Sequence, residues 1–452
     1  MDLVWLVLDS VGFTHTSFAP DGPATTPDIS TLADEHGRVF TRAYAPGPAS
    51  PSSHGSMLTG ALPSQTGMTE AQPFFDGETL TVPEALSDTH TTYLTSVNPF
   101  LFNGLAAEFD SSDDLARRQY MIFTDAEDPR AFAQTANGDT TLERLVELIA
   151  RSDRPFRSLV NAMSYKYWDR FHNEFIPDSV AGPDGAYKYA VAINEQISSE
   201  LSAPSDSFIL ANYMDAHPPF DVSESVLSDI ETEYDRSELP VGVRAEDTDE
   251  YDNQAMETLY RASIRELDSQ VAPLVDELVD QGTFVVVTAD HGPRFGRRNY
   301  LTEERLHVPL VLFGPGVESE TIEHTVSLRS LARTTAMAAT GSDLGFDGVD
   351  LRSVEKDQIA ETEYIHHNSG DVGPVNPYGS SDEARYDLRL RFGEATLAVV
   401  DGAKTEARGS ETVLEELRER AKMLRARSSK LSGDDVEYGR ETEQRLEDLG
   451  YL

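Results

Sequence analysis

The sequence of 452 residues contains no cysteine. That removes disulfides, thiolate zinc sites and a cysteine nucleophile. Lysine is nearly absent, occurring only at Lys166, Lys188, Lys356, Lys404, Lys422 and Lys430. Positive charge as a whole is scarce: 37 basic residues stand against 79 acidic ones, a formal net charge of −42. Nucleic acids and anionic membranes attract basic patches, so neither is expected as a partner. No apolar run is long enough to span a bilayer, so no integral membrane segment is expected. The chain enters a buried-type strand at once, without the pattern of a secretory leader. A cytoplasmic protein is the expectation.

The acidic surplus carries a consequence. Self-repulsion strains a compact state in dilute buffer. At molar salt the Debye length falls to about 3 Å, and the strain is screened. An acidic, Lys-poor surface resembles proteins of salt-loving archaea. Hydrophobic residues make up 39% of the chain and are spread along all of it, enough for a sizeable core. The length suits one large domain plus a smaller one.

Strand and helix signals alternate. Leu3 to Leu8 is an apolar run ending at Asp9. Asp28 to Arg38 reads as a helix stopped by Gly37, and residues 38–45 as a strand. Thr81 to Leu86 opens a helix with Pro in its first turn; residues 91–97 are a β-branched run ending at Asn98-Pro99. Ser207 to Asn212 is a strand leading to His217. Residues 253–280 form the clearest helix, with Tyr260, Ile264, Leu267, Val271, Leu274 and Leu278 at helical spacing and Pro273 expected to kink or break it. Strand 283–288 delivers Asp290 and His291, and Val308 to Phe313 is a further strand. This alternation predicts a parallel sheet covered on both faces.

Other segments are less regular. Residues 101–205 read as a variable insertion, with an amphipathic helix near Leu142 to Ile149 and an aromatic patch, Tyr165, Tyr167, Trp168, Phe171 and Phe175, expected as core. Residues 221–252 read as an acidic surface loop, and His366-His367 as part of another surface loop. Composition shifts near 352. Beyond it, Tyr386 to Val400 alternates like hairpin strands, and 411–427 is a charged helix with Val413, Leu414, Leu417, Ala421 and Leu424 on one face. The division expected is a domain of residues 1–351 and a smaller one of 352–452.

Ser50-Pro51-Ser52-Ser53-His54-Gly55-Ser56-Met57-Leu58-Thr59-Gly60 follows a strand and a Pro/Gly turn. Ser50 or Ser52 can cap a short helix, with Gly60 as its stop. Free N–H groups and the dipole at such a helix start favour negative charge. A hydroxyl there suits a nucleophile attacking a sulfate or phosphate ester. Asp9 and Asp290 end apolar strands, and strand ends are where open α/β sheets bind ligands.

These segments together resemble the sulfatase family of the alkaline-phosphatase superfamily. The likeness runs through Leu8-Asp9-Ser10, Thr26-Pro27-Asp28, the Ser50 to Gly60 stretch, Met214-Asp215-Ala216-His217-Pro218-Pro219, Asp290-His291-Gly292, Val308-Pro309-Leu310 and the terminal Arg445 to Leu452. It implies an α/β fold: an alkaline-phosphatase-like α/β/α sandwich with a mostly parallel central sheet and a smaller C-terminal α+β subdomain.

The resemblance also implies roles. Asp9, Asp290 and His291, with the oxygen of Ser50, would hold one divalent metal ion. Such a mostly oxygen set suits Ca²⁺, Mg²⁺ or Mn²⁺. Ser50 would be the nucleophile. Many relatives convert this residue to formylglycine, a signal that needs Pro two residues on and Arg four residues on. Here those are Ser52 and His54, so plain serine is expected. His54 would face the substrate oxyanion or hold Ser50, and His217 would contact the ester oxygen or act as general acid. Asn98 and Arg298, the latter paired with Arg297, would bind substrate. Ser10 stands where many sulfatases carry a second Asp; the Asp290-then-His291 order is more like the lipoteichoic acid synthase branch. The expected activity is hydrolysis of a sulfate or phosphate ester of a small molecule, glycan or lipid headgroup. The alternatives are a phosphoglycerol or phosphoethanolamine transferase-like phosphodiester enzyme and a non-catalytic binding relative.

Overall fold

The computed structural model describes residues 1–118, 147–175, 189–220, 222–230, 252–293, 300–367, 384–400 and 403–428, with single positions 122, 123, 126, 127, 129, 132, 234 and 239. Its centre is a nine-stranded sheet. The strands are β1 (Leu3–Leu8), β2 (Arg38–Tyr44), β3 (Thr91–Ser96), β4 (Ser111–Asp114), β5 (Ser207–Tyr213), β6 (Phe284–Thr288), β7 (His307–Phe313), β8 (Glu320–Ile322) and β9 (Val326–Ser327). They lie in the order β4-β3-β5-β1-β6-β7-β2-β8, with β9 also on β2. β1, β5 and β6 are buried at every position. Helices on both faces leave no wet side to the sheet, which is why these strands read as unbroken apolar runs rather than alternations.

Register aligns the strand ends. Leu8 pairs with Tyr213 and Val7 with Thr288, so the residues after β1, β5 and β6 leave the sheet along one edge. β7 alone runs against its neighbours. Its first residue, His307, pairs with Tyr44 near the end of β2. Residues just before β7 therefore reach the same edge as residues just after the other strands.

The helix Asn253–Asp280 buries Tyr260, Ile264, Leu267, Val271, Leu274 and Leu278 as expected. Of the kink or break expected at Pro273, there is no break: the helix is continuous, and Val271, Ala272, Leu274 and Val275 around the proline are all buried. Its Asp268 accepts from the backbone N–H groups of Asp28 and Ile29, each at 3.0 Å, and so supplies the helix Pro27–His36 with the cap that Thr26 does not.

A separate antiparallel sheet follows, β10 (Ala360–His367), β11 (Ala384–Phe392), β12 (Ala395–Val400) and β13 (Ala403–Arg408), in that order. The helix Glu411–Ser428 buries Leu417, Ala421 and Leu424 against Leu388, Leu390 and Leu397 of this sheet and against Leu62. The architecture is the expected α/β sandwich with a small C-terminal antiparallel sheet. Three further expectations change. His366 and His367 lie on β10, not in a loop. Part of 221–252 is the helix Glu224–Asp229, anchored by buried Val222 and Leu227. Tyr165 of the aromatic patch is exposed rather than core, while the side chains of Tyr167, Trp168, Phe171 and Phe175 lie outside the described residues. Near residue 149, Leu148 is buried and Ile149 exposed, as an amphipathic helix requires; Leu142, Leu145 and Val146 lie outside the described residues.

Candidate active site

β1 ends in a turn that carries Asp9 into the sheet edge. Ser10 follows with φ 64°, a left-handed conformation costly for a residue with a side chain. Two bonds hold it there. The Tyr260 hydroxyl donates to the Ser10 carbonyl at 2.7 Å and accepts from Gly12 N–H at 3.0 Å. Asp9 is fully buried. Its Oδ1 accepts from the Ser10 hydroxyl at 2.9 Å, and its Oδ2 from the amides of Asn98 at 2.9 Å and Asn212 at 3.3 Å.

After β2 the chain turns through Pro46-Gly47-Pro48 into the helix Ser50–Thr59, which ends at Gly60 with φ 69°. Ser50 is the first residue of this helix rather than its cap. Ala49 occupies the cap position, and neither Ser50 nor Ser52 makes a capping bond. Ser50 Oγ lies 3.4 Å from Asp9 Oδ2 and 3.5 Å from His291 Nε2. Ser53 Oγ donates to the Asp290 carbonyl at 2.6 Å, tying this helix to the turn after β6.

That turn carries Asp290 and His291, both buried. Asp290 Oδ1 accepts from His291 N–H at 2.9 Å and Ser10 N–H at 3.2 Å. Its Oδ2 has no hydrogen-bond partner although buried, and lies 3.5 Å from His291 Nε2. His291 Nδ1 lies 2.9 Å from the Gly292 carbonyl. A carbonyl only accepts, so the proton sits on Nδ1 and the Nε2 lone pair faces Asp290 Oδ2 and Ser50. Burial first, and the Arg305 guanidinium next, push the His291 pKa well below its ordinary value, against the pull of Asp9.

The other expected histidines are also here. His54 is fully buried, not solvent-facing. Its Nδ1 is 3.0 Å from the Ser50 carbonyl, one turn back, and its Nε2 is 3.4 Å from the Asn212 amide. The same Nδ1 lies 3.7 Å from Asp290 Oδ2. His217 Nδ1 is 2.7 Å from the Pro218 carbonyl. Burial lowers its pKa, with Asp9 the largest opposing charge and Arg305 adding to the lowering. Asn98 is at the site, but its amide is directed to Asp9. Arg297 and Arg298 lie outside the described residues.

Three contributors escaped the sequence reading. Asn212 sits inside β5, in what reads as a core strand. Tyr260 sits in the apolar stripe of a helix. Arg305 precedes β7, and its Nη2 lies 3.5 Å from His291 Nε2.

The carboxylates fit a divalent cation. Donor atoms of Asp9, Asp290 and His291 all lie within 4.8 Å of one another. A buried carboxylate oxygen without a partner, as Asp290 Oδ2 is, costs free energy unless a cation faces it. The imidazole presents a neutral lone pair, the form that ligates metal.

Comparison with known proteins places this geometry. The family model described as Sulfatase matches residues 1–342. Among solved structures, the phosphonate monoester hydrolase SpPMH from Silicibacter pomeroyi is similar with a TM-score of 0.61 at 16% identity, over 95% of this chain and 96% of that one. BT4656, solved in complex with its substrate D-glucosamine-2-N,6-O-disulfate, gives 0.61 at 12% identity over 96% and 99% of the two chains. A protein in the alkaline phosphatase superfamily from Vibrio parahaemolyticus gives 0.52 at 15% identity over 96% and 88%. No curated protein matches the chain. At such identities the structural likeness shows the fold; the family match, running from β1 through the helix Ser330–Thr340, shows more: this chain belongs to the sulfatase family.

Proposed function

We propose that the protein is a metal-dependent hydrolase of a sulfate or phosphate ester, with Ser50 as an unmodified nucleophile. The observation that carries this is the position of Ser50 Oγ. It stands at a helix start, 3.4 Å from Asp9 Oδ2 and 3.5 Å from His291 Nε2, beside the unpartnered Oδ2 of Asp290.

Sulfatase-family enzymes use a divalent metal, and Asp9, Asp290, His291 and the Ser50 oxygen would hold it here. Their oxygen-rich character favours Mg²⁺, Ca²⁺ or Mn²⁺. When bound, the ion supplies positive charge that favours the serine alkoxide and polarises the ester. Ser50 Oγ attacks sulfur or phosphorus; the Oγ bond forms as the bond to the leaving oxygen breaks. Water then opens the covalent enzyme ester and releases sulfate or phosphate. The Pro218 carbonyl holds the His217 proton on Nδ1, leaving Nε2 as a base. His217 therefore suits the second step, taking a proton from that water, better than the donor role expected from sequence. His54 and Asn212 hold the Ser50 turn and Asp9 in register.

The names of the structural neighbours span sulfate and phosphonate centres, so the fold does not choose between them. An unmodified serine favours phosphorus. We also infer that residues 1–351 form the catalytic unit and 352–452 a smaller subdomain, and that the acidic surface is adapted to salt, in a cytoplasmic setting. No helix among the described residues is long and apolar enough to cross a membrane.

The test is hydrolysis of an aryl sulfate, an aryl phosphate monoester and a diester in molar KCl, with Mg²⁺, Mn²⁺ or Ca²⁺. Wild type should turn over one class only with metal, and Ser50→Ala should fall to background while keeping its circular dichroism. Turnover that survives Ser50→Ala would exclude the serine mechanism. No turnover of any ester together with no metal binding would support the non-catalytic relative instead.

A further inference from the structure

We propose that Arg305 is the residue that grips the anionic centre of the ester, the task that the family resemblance gave to Arg298. The inference rests on the hydrolase reading above and adds to it the group that binds the non-bridging oxygens of a sulfate or phosphate.

Four arginines are buried among the described residues: Arg38, Arg305, Arg389 and Arg391. Three of them have carboxylate partners. Arg38 pairs with Glu320, Arg389 with Glu406 at 2.7 Å, and Arg391 with Glu303 at 2.7 Å. Arg305 has none among the described residues. Its Nε donates to the Pro48 carbonyl at 2.6 Å and its Nη1 to the Gly292 carbonyl at 2.8 Å. Those are neutral acceptors, and no carboxylate among the described residues pairs with the charge. A buried guanidinium without an anion is costly. An anion supplied by a ligand removes that cost.

The direction of the side chain says where the anion sits. A guanidinium carries five N–H donors, and two are engaged by the carbonyls. Nη2 lies 3.5 Å from His291 Nε2, an atom that is itself 3.5 Å from Ser50 Oγ and 3.5 Å from Asp290 Oδ2. Nη2, whose contact with His291 Nε2 is long and which meets no other acceptor among the described residues, is thus beside the place of attack. The fork matches two oxygens of a tetrahedral oxyanion, and it faces charge that grows on those oxygens as Ser50 attacks.

The arginine is also held still. Pro48 lies in the turn before Ser50, and Gly292 follows His291, so its two carbonyl bonds pin both turns to one plane. The Tyr300 ring lies under the guanidinium, 5.8 Å to the centroid. Behind it Tyr300 stacks on Tyr364 of β10 at 4.8 Å, and Tyr364 on His366 at 4.0 Å. The C-terminal sheet thereby backs the anion-binding group from outside the main sheet.

The experiment compares wild type, Arg305→Lys and Arg305→Ala at one fixed KCl concentration with saturating metal. The readouts are turnover of the preferred ester, competitive inhibition by inorganic sulfate, phosphate and vanadate, and metal affinity by calorimetry. Arg305→Ala should lower kcat/KM about 10²–10³-fold. It should weaken oxyanion inhibition about 10–100-fold, the worth of charged hydrogen bonds, with metal affinity unchanged. Added guanidinium should restore part of the Arg305→Ala activity. Arg305→Lys keeps the charge but cannot span both carbonyls, so it should fall between the two and keep folding testable. Unchanged oxyanion inhibition in Arg305→Lys and Arg305→Ala, with lost metal affinity or a lower melting temperature, would overturn the proposal and leave Arg305 a structural tie. If wild type turns over no ester, the hydrolase reading fails by itself. Arg305 is then judged by calorimetric binding of vanadate: loss of binding in Arg305→Lys supports the grip, and equal binding refutes it.

Discussion

The side-chain amide of Asn98 donates to Oδ2 of Asp9 across 2.9 Å, while its carbonyl oxygen accepts from Phe100 N–H at 3.0 Å. Both ends of the side chain are engaged in structure. Asn98 is thus expected to aim a candidate metal ligand rather than to meet substrate directly. Partners of this kind are worth about 10–100-fold in metal affinity. Asn98→Ala should raise the metal dissociation constant by that factor, with KM for the ester unchanged once metal saturates. Asn98→Asp should do worse, since it sets a second carboxylate against Asp9. A metal titration of activity, paired with calorimetry, decides it. A KM rise at saturating metal would restore Asn98 to a substrate role.

Gly292 is fixed by proximity. A Cβ there would lie 2.0 Å from the Glu304 carbonyl oxygen. The Gly292 N–H donates to the Arg305 carbonyl at 2.7 Å, so the two segments cannot part without losing that bond. Gly292→Ala should push the Asp290-His291 turn away from Arg305. Displacements near 1 Å can cost about 10²-fold in rate, and a loss of that order in kcat/KM is expected, with a lower melting temperature. Unchanged kinetics would show that the turn and Arg305 are not coupled.

The legible part of this site was the part that follows strands. Asp9 and Asp290 end apolar runs, and a parallel sheet gathers such ends on one edge. Ser50 was visible because Pro and Gly punctuate the turn before its helix. Arg305 was not, because β7 runs the other way and brings its beginning to the edge; a reading that looks after strands looks at the wrong end. Asn212 and Tyr260 were hidden by their surroundings. One lies in a fully buried strand and the other in an apolar helical stripe, and periodicity assigns both to core without asking where an amide or hydroxyl points. His366 was misread because polar residues around β10 suggested a loop, whereas pairing with β11 and stacking on Tyr364 make a strand of it.

The net charge of −42 sets a salt prediction. Surface repulsion is long-ranged and screened, while exposed pairs such as Arg418 with Glu411 and Glu415 add little. The melting temperature should rise as KCl goes from about 0.1 to about 2 M, where the Debye length shrinks severalfold. Choline chloride should act similarly and sucrose much less, since only the salts screen. A melting temperature that falls or stays level would sink the salt-adapted reading.

Glu70 makes the pH prediction. It is fully buried; Oε1 accepts from the Ser52 hydroxyl, and Oε2 has no partner. Burial raises its pKa from 4.5 to about 7, against the pull of Ser52. The folded value lies above the unfolded one, so stability is full below the unfolded pKa and is lost as pH rises through 7, by about 3 kcal/mol in all. His307 works the other way. It lies between the rings of Phe13 at 4.3 Å and Tyr44 at 5.0 Å, and burial lowers its pKa from 6.5 to about 4, with Glu303 opposing. Its contribution is full above the unfolded pKa and is lost as pH falls toward 4. The two slopes oppose each other between about pH 4.5 and 6.5 and largely cancel. Glu70→Gln removes one of them. Relative to wild type, the variant should therefore gain stability with rising pH across this window and exceed it at pH 8 by about 2 kcal/mol, after about 1 kcal/mol for its unpaired amide hydrogens. Denaturant unfolding at pH 5 and pH 8 measures it. Equal destabilisation at both pH values would mean that Glu70 is not a strained carboxylate at pH 8, and the raised pKa would have to be abandoned.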